Sequence, residues 1–476
     1  MRKPLLAVLA LSLVVAGPGP AWGGEPAKAL TPAAIDEYLR EALDSTGLPG
    51  MSVVVTHGDR IVHTAGLGHD ASGRPVTADT PMRVASVSKS FTAAAVMTLV
   101  DDGRVALDQP VATYLPEFRM ADRRAGRITV RQLLNQTSGL SDRTVDIGAT
   151  QRATTFAGYL AALRDGSLAG EPGSRWEYCN VNYDVAARLV EVVDGRDFAD
   201  AVRDRVFARL GMGASAVGDR VVRPSDGFIS VYGAWVPRTE LPRFRGGGSG
   251  GVVTTASDMG RWLISQAGHG PSMVTPGSLA VLHEPSPGTD YAMGWGVEVE
   301  GSRKLLVHSG NLFTYTAVQA VDPATGFGFA VLTNSASLHD DTYDILLGLV
   351  ALSDGRRPAA PGGGRQMTEL VLALTALVAL GLGIRGVLRS GRWARRRAGR
   401  TWWWTAFRLV GVLVPAVVLA TYPQWASFLM NGRAVTWAQM TYFPAPLTIT
   451  LAVAAAAGLA TAVARLTRLR SAGPTG

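Results

Sequence analysis

The sequence predicts an α/β fold of the α+β kind: an antiparallel sheet built from both ends of one domain, flanked by helices and carrying a mostly helical inserted region, then three C-terminal transmembrane helices. Three observations predict it. Strand-like alternation clusters near residues 51–66 and again near 291–333, helical patterning fills the interval, and three apolar stretches end the chain. With 476 residues and 47% apolar side chains, the chain can bury a real core.

The elements follow in order. Arg2-Lys3, an apolar run from Leu5 to Ala16 and the small residues around Ala21-Trp22-Gly23 read as a signal peptide, residues 1–23, with an uncleaved anchor as the alternative. Either way the following domain, residues 24–353, is exported. Thr31-Pro32 opens a helix with apolar Ile35, Leu39, Ala42 and Leu43, closed by Gly47. Met51 to His57 and Arg60 to Gly66 flank a His57-Gly58-Asp59 turn and read as a hairpin. Further strands are expected at Tyr291 to Val299, Leu305 to His308, Tyr315 to Val321 and Phe327 to Thr333, before an amphipathic helix from Asp340 to Leu352.

A Pro/Gly/Arg linker, residues 354–366, leads to a membrane domain, residues 367–476. Its spans are Leu370 to Leu388, Thr405 to Trp425 and Phe443 to Ala464, each about the twenty residues a helix needs to cross the hydrocarbon core. Seven arginines from Arg385 to Arg400 fill the first connection, Arg433 stands alone in the second, and Arg465, Arg468 and Arg470 follow the third. The positive-inside rule then puts the first connection and the tail in the cytoplasm and residues 24–366 outside, a multi-pass protein of the plasma (inner) membrane. The middle span is the weakest, with Arg408 needing to snorkel and Pro415 interrupting it. Ala454, Gly458 and Ala462 share a face of the third span and would permit close contact with a second copy, a homodimer, although so alanine-rich a segment produces such rows by composition alone.

Charge excludes one class of partner. The net charge is +8, yet residues 24–366 hold 32 basic against 37 acidic side chains. The basic surplus belongs to the chain ends, so a nucleic-acid partner lacks its electrostatic basis and none is expected. One cysteine, Cys179, allows no intrachain disulfide or thiolate metal cluster, and His57, His63, His69, His269, His283 and His339 lack metal-ligand spacing and read as turn or surface residues. No metal and no cofactor are expected. The glycines from Gly246 to Gly251 lack the lysine of a phosphate loop.

Lysine usage points to the chemistry. Only four of the 46 basic side chains are lysines, at positions 3, 28, 89 and 304. Lys89 lies in Val84-Ala85-Ser86-Val87-Ser88-Lys89-Ser90, at the start of a helix that places Ser86 and Lys89 on one face and Ser86 at the positive end of the dipole. A serine hydroxyl needs a base, and lysine can lose its proton where arginine cannot. A capping serine beside a solvated lysine is the alternative. Downstream, Tyr178-Cys179-Asn180 precedes a helix from Tyr183 to Val193; a phenol can relay a proton and a carboxamide can bind a substrate amide. Leu305 to Asn311 then reads as a strand ending in His308, Ser309 and Gly310, able to aim a backbone N–H at a developing oxyanion.

Together these elements resemble the Ser-x-x-Lys, Tyr-x-Asn and Lys/His-x-Gly motifs of serine β-lactamases and penicillin-binding D,D-peptidases, nearest the class C and esterase-like branch. Ile128 to Leu140 and Gly250 to Met259 resemble signatures of the same family, and the resemblance covers about residues 30–352. It implies a β-lactamase/transpeptidase-like fold and a serine hydrolase in which Ser86 is acylated. Lys89 and Tyr178 would share the proton transfers, with the first base left open. Asn180 would hold the substrate amide, His308, Ser309 and Gly310 would line the acyl site, and the N–H groups of Ser86 and Asn311 would form the oxyanion hole.

Two positions depart from the family pattern. Cys179 stands where relatives have serine and reads as a buried small residue rather than an alkylation target. His308 replaces lysine, which removes a fixed cation for a substrate carboxylate and favours the peptidase or esterase branch over a β-lactamase. Three spans after such a domain also resemble periplasmic peptidases that remove an N-acyl-D-amino-acid segment from prodrugs. The expected ligand is a peptide or β-lactam-like small molecule, and the expected anchor is the lipid bilayer. A non-catalytic receptor for penicillin or cell-wall peptide is the alternative of another class.

Overall fold

The computed structural model describes residues 30–471 except 220, 242–246, 301–302, 398, 400 and 431. The signal-peptide reading lies outside the described residues. Helix α1, Pro32–Thr46, begins as expected: the Thr31 side chain accepts from the Ala34 N–H, proline occupies the first turn, and Gly47 ends it in the left-handed region at φ 63°.

Six strands form one antiparallel sheet: β1 Gly50–His57, β2 Arg60–Gly68, β3 Gly296–Glu300, β4 Arg303–Asn311, β5 Thr316–Asp322 and β6 Phe327–Thr333. Their spatial order, β2-β1-β6-β5-β4-β3, joins the two ends of the domain through β1 and β6, with Met51 opposite Thr333. Strand β3 is shorter than the predicted Tyr291 to Val299. Gly294 turns the chain at φ 81°, and a Cβ there would come within 2.7 Å of the Ser90 backbone, so the residues before it form a tight loop rather than a strand.

Alternation along the strands separates two cores. Val53, Val55, Val307, Val318 and Phe329 face α1 and α5, Asp341–Ser353. Val54, Leu306, Ala317 and Leu332 face the other layer, with α2, Ser88–Asp101, α3, Asn180–Asp194, and α4, Ala256–Gln266. Helix α2 is buried from Ser88 to Leu99, which explains its near-uniform apolar character. Gln319 ties the layers together, accepting from Trp262 Nε1 at 2.9 Å and donating to Ser90 Oγ at 2.9 Å.

Three apolar helices close the described chain: α6 Gly364–Leu388, α7 Trp402–Ala420 and α8 Ala445–Arg470, each long and apolar enough to cross a membrane. Helix α6 starts inside the segment read as a linker. Arg365 is 3% exposed, donating to Ser230 Oγ at 3.0 Å and to the Thr46 carbonyl at 2.8 Å, so the connection is docked onto the domain. The start of α8 docks too: Tyr442 donates to the Thr239 carbonyl at 3.0 Å, and Tyr232 donates to the Pro446 carbonyl at 2.9 Å. Pro415 lies within α7, and the chain breaks after Ala420 into a short helix, Tyr422–Leu429. Of the small-residue row on α8, Gly458 is used within the chain, because its Cβ position lies 1.9 Å from the Val412 carbonyl oxygen of α7.

Candidate active site

Ser86 sits in a 3₁₀ turn, Ala85–Val87, that leads directly into α2. Ala85 holds φ 49°, a left-handed conformation costly for a residue with a Cβ, of order 1–3 kcal/mol. That elbow leaves Ser86 partly open while Ala85, Val87 and Ser88 are buried. One turn on, the Lys89 amine is 0% exposed, hydrogen-bonded to Ser86 Oγ at 3.0 Å and donating to the Ser249 carbonyl at 2.7 Å. Burial pushes its pKa below the usual 10.5, while hydrogen bonding to Tyr178 and the Asp184 charge pull it partly back.

Tyr178 closes the third side. The Lys89 Nζ lies 4.9 Å from its ring centroid. The phenol is fenced by Trp176, Tyr291 and His308, with ring centroids at 6.4, 6.4 and 6.4 Å. Two residues on, Asn180 begins α3, and its carboxamide oxygen is buried with no hydrogen-bond partner among the described residues. An unpaired buried acceptor is suited to an N–H donor from outside the chain. Cys179 is 0% exposed, its thiol donating to Asp142 Oδ1 at 3.2 Å, and burial raises its pKa; it is a buried small residue with no accessible thiolate.

Strand β4 forms the opposite wall. Gly310 shares the sheet face of Leu306 and His308, and a Cβ on it would lie 2.2 Å from the Val84 carbonyl oxygen and 2.8 Å from the Ser86 nitrogen. Only glycine lets this strand run so close to the Ser86 turn. Asn311 and Ser309 are exposed at its end. His308 is 7% exposed, with Nε2 3.1 Å from the Tyr291 hydroxyl and Nδ1 2.7 Å from the Ser309 carbonyl. Burial, with Lys89 nearby, lowers its pKa to about 3, so the ring is neutral near pH 7.

The structure therefore brings Ser86, Lys89, Tyr178, His308 and Gly310 together, with Asn180 two residues beyond Tyr178 at the start of α3. It also adds residues that sequence reasoning missed. Asp184 of α3 accepts from the Ser249 N–H at 3.0 Å and hydroxyl at 3.1 Å, fixing the carbonyl that receives Lys89. The glycine run earns its composition there: Gly248's Cβ position is 2.5 Å from the Tyr183 carbonyl oxygen, and its own carbonyl accepts from Thr92 at 2.7 Å. Tyr291 holds His308, and Arg433 arrives from the connection between the second and third apolar helices, its Nε donating to Asp142 Oδ2 at 2.8 Å. Away from this site, His283 is half-buried at the end of a helix, packing edgewise on Trp295 at 5.8 Å and bonding Gln266. His339, Asp341 and Asp344 converge within 4.8 Å, but Arg365 already brings a cation 3.9 Å from Asp341.

An antiparallel sheet with this helical insert, and a serine at the start of a buried helix one turn before a buried lysine, define the β-lactamase-like class of fold. The profile of the Beta-lactamase family matches residues 35–353, and the chain belongs to that family. Its superfamily is one of serine hydrolases. Penicillin-binding protein 4 of Amycolatopsis lactamdurans is 30% identical over 333 residues, 64% of this chain and 86% of its own length. Protein flp of Staphylococcus aureus is 25% identical over 314 residues, and the match spans 63% of this chain but only 62% of that protein. Among solved structures, the D-amino acid amidase of Ochrobactrum anthropi SV3 is 25% identical with a TM-score of 0.55, over 68% of this chain and 95% of that one.

Proposed function

We propose that this chain is a membrane-anchored, extracytoplasmic serine hydrolase that cleaves amide bonds in peptides containing D-amino acids through an acyl-enzyme on Ser86. The observation that carries the reading is the 0%-exposed Lys89 amine, 3.0 Å from Ser86 Oγ and bordered by the Tyr178 phenol. Burial favours the neutral amine, the form that can accept a proton, and the adjacent hydroxyl is the proton it can reach. Ser86 Oγ attacks the substrate carbonyl as its proton passes to Lys89. The N–H groups of Ser86 and Asn311 receive the oxyanion, and Tyr178, hydrogen-bonded to Lys89, returns the proton to the leaving amine. Water then adds to the ester as its proton passes to Lys89 and Tyr178, and that proton is delivered to Ser86 Oγ as the acyl C–O bond breaks and the acid leaves. The likeness to a D-amino acid amidase supports a D-configured amide substrate.

Anchoring and orientation rest on the three apolar helices. The ends of α6 and α8 that dock on the catalytic domain are opposite those nearest the arginine-rich first connection and tail, as the positive-inside rule requires of an exported domain.

Acylation of Ser86 is expected to rise with pH through the folded-state pKa of Lys89. That pKa lies below 10.5, so the neutral base appears at a lower pH than for a free lysine. His308, with a pKa of about 3, adds no limb at higher pH. A stopped-time assay of D- and L-amino-acid amide hydrolysis across pH, with the full chain in detergent, checks both parts. The reading expects turnover of the D-amide, loss in Ser86→Ala, and a rising limb with its midpoint below 10.5. Turnover that persists in Ser86→Ala would refute it.

A further inference from the structure

We propose that Arg433, carried by the loop between the second and third membrane helices, is a substrate-binding residue of this pocket that takes the α-carboxylate of the residue leaving after cleavage. The inference rests on the serine-hydrolase reading above and narrows its substrate to peptides ending one residue beyond the scissile bond.

The loop, residues 421–444, contains a single charged residue, Arg433. Its side chain turns into the catalytic domain. Nε donates to Asp142 Oδ2 at 2.8 Å and the Ala434 N–H donates to the same oxygen at 3.3 Å, so one carboxylate whose side chain is 5% exposed holds both the guanidinium and the backbone of the loop. The guanidinium carbon lies 5.2 Å from the centroid of the Tyr178 ring, and the Lys89 amine lies 4.9 Å from that same centroid. The arginine thus borders the phenol that hands a proton to the leaving amine.

Only Nε is spent on Asp142. The two terminal nitrogens of Arg433 have no hydrogen-bond partner among the described residues, and the side chain remains 24% exposed. A partly desolvated guanidinium with its fork free is the donor set that matches a carboxylate in two parallel hydrogen bonds. Other candidates for the role are engaged. His308 is neutral with both ring nitrogens occupied, and Lys89 is buried against Ser86 and Ser249. Arg143 and Arg175 share Glu177.

Chain geometry supplies the rest. In a peptide whose last residue leaves, the carboxylate carbon is two bonds from the leaving nitrogen, about 2.5 Å away. A proton delivered by Tyr178 to that nitrogen brings the carboxylate alongside the ring, where Arg433 waits. Gly432 and Ala434, on either side of it, line an open cleft of about 580 Å³ with Arg143 and Phe428.

The test uses the full chain in detergent. In Ser86→Ala protein, the dissociation constants of N-acetyl-D-alanyl-D-alanine and of its C-terminal amide are compared by calorimetry. With Ser86 present, acylation by benzylpenicillin is compared with acylation by its methyl ester. The expected result is a preference of tenfold or more for the acid in each pair, collapsing toward unity in Arg433→Gln and partly kept in Arg433→Lys. A purely structural tether would lower acid and neutral partner by the same factor. That outcome, or a preference unchanged by Arg433→Gln, or no preference in the parent protein, overturns the proposal. Labelling of the parent protein by a neutral fluorophosphonate separates the two readings: its failure refutes the Ser86 nucleophile, while the binding comparison in Ser86→Ala still decides the role of Arg433.

Discussion

Lys89→Arg is expected to slow acylation of Ser86 by roughly 10²–10⁴-fold, the span that a positioned general base contributes. The substitution keeps a long cationic side chain and so isolates one property. At this site the amine is 0% exposed and its pKa is lowered by burial, so a neutral, proton-accepting form is accessible. Arginine offers no such form. It would also fix a second permanent charge beside the ring that Arg433 already borders. Single-turnover acylation by a fluorescent penicillin, followed in the full chain with a thermal melt of each variant as the folding control, reads the effect. A variant that melts like the parent yet acylates within threefold of it would show that Lys89 is not the base.

Gly310→Ala is the second substitution with a large expected effect, and it acts through space alone. Strand β4 passes so close to the nucleophile turn that the added methyl would lie 2.2 Å from the Val84 carbonyl oxygen and 2.8 Å from the Ser86 nitrogen. Both contacts are backbone, so no side chain can swing aside. Either the strand or the turn must move, and overpacking of this kind costs about 1–3 kcal/mol of stability. The larger consequence is catalytic: displacement of the reacting groups by about 1 Å can cost roughly 100-fold in rate. The expected result is a folded protein with acylation reduced by that order, its loss shared by acidic and neutral substrates, unlike that of Arg433→Gln. Comparison of acylation rates for benzylpenicillin and its methyl ester in Gly310→Ala checks this.

How much of this was legible in the sequence depends on distance along the chain. Ser86 and Lys89 are one helical turn apart, and Tyr178 and Asn180 flank a helix start, so local geometry was enough to pair them. The sheet was readable because β1, β5 and β6 alternate strictly between two covered faces. The neutral state of His308 was not readable, because it depends on burial and on Lys89, far away in sequence; its hydrogen-bond partner Tyr291, which the sequence assigns to a strand, is placed in a loop by the left-handed Gly294. The segment ending at Gln366 has linker composition, but Arg365 finds acceptors at Thr46 and Ser230, far away in sequence. Arg433 counted only toward topology, as the one arginine of its connection. Its partner Asp142 belongs to another part of the fold, and nothing local announces the pair.

The central claim is that Ser86 carries the acyl group. Its most direct measurement is to trap the full-length protein with a fluorescent penicillin, digest it and locate the added mass on the peptide map. The account predicts one adduct, on Ser86, absent from Ser86→Ala and strongly reduced in Lys89→Arg. An adduct on any other residue, or one that survives in Ser86→Ala, would contradict it.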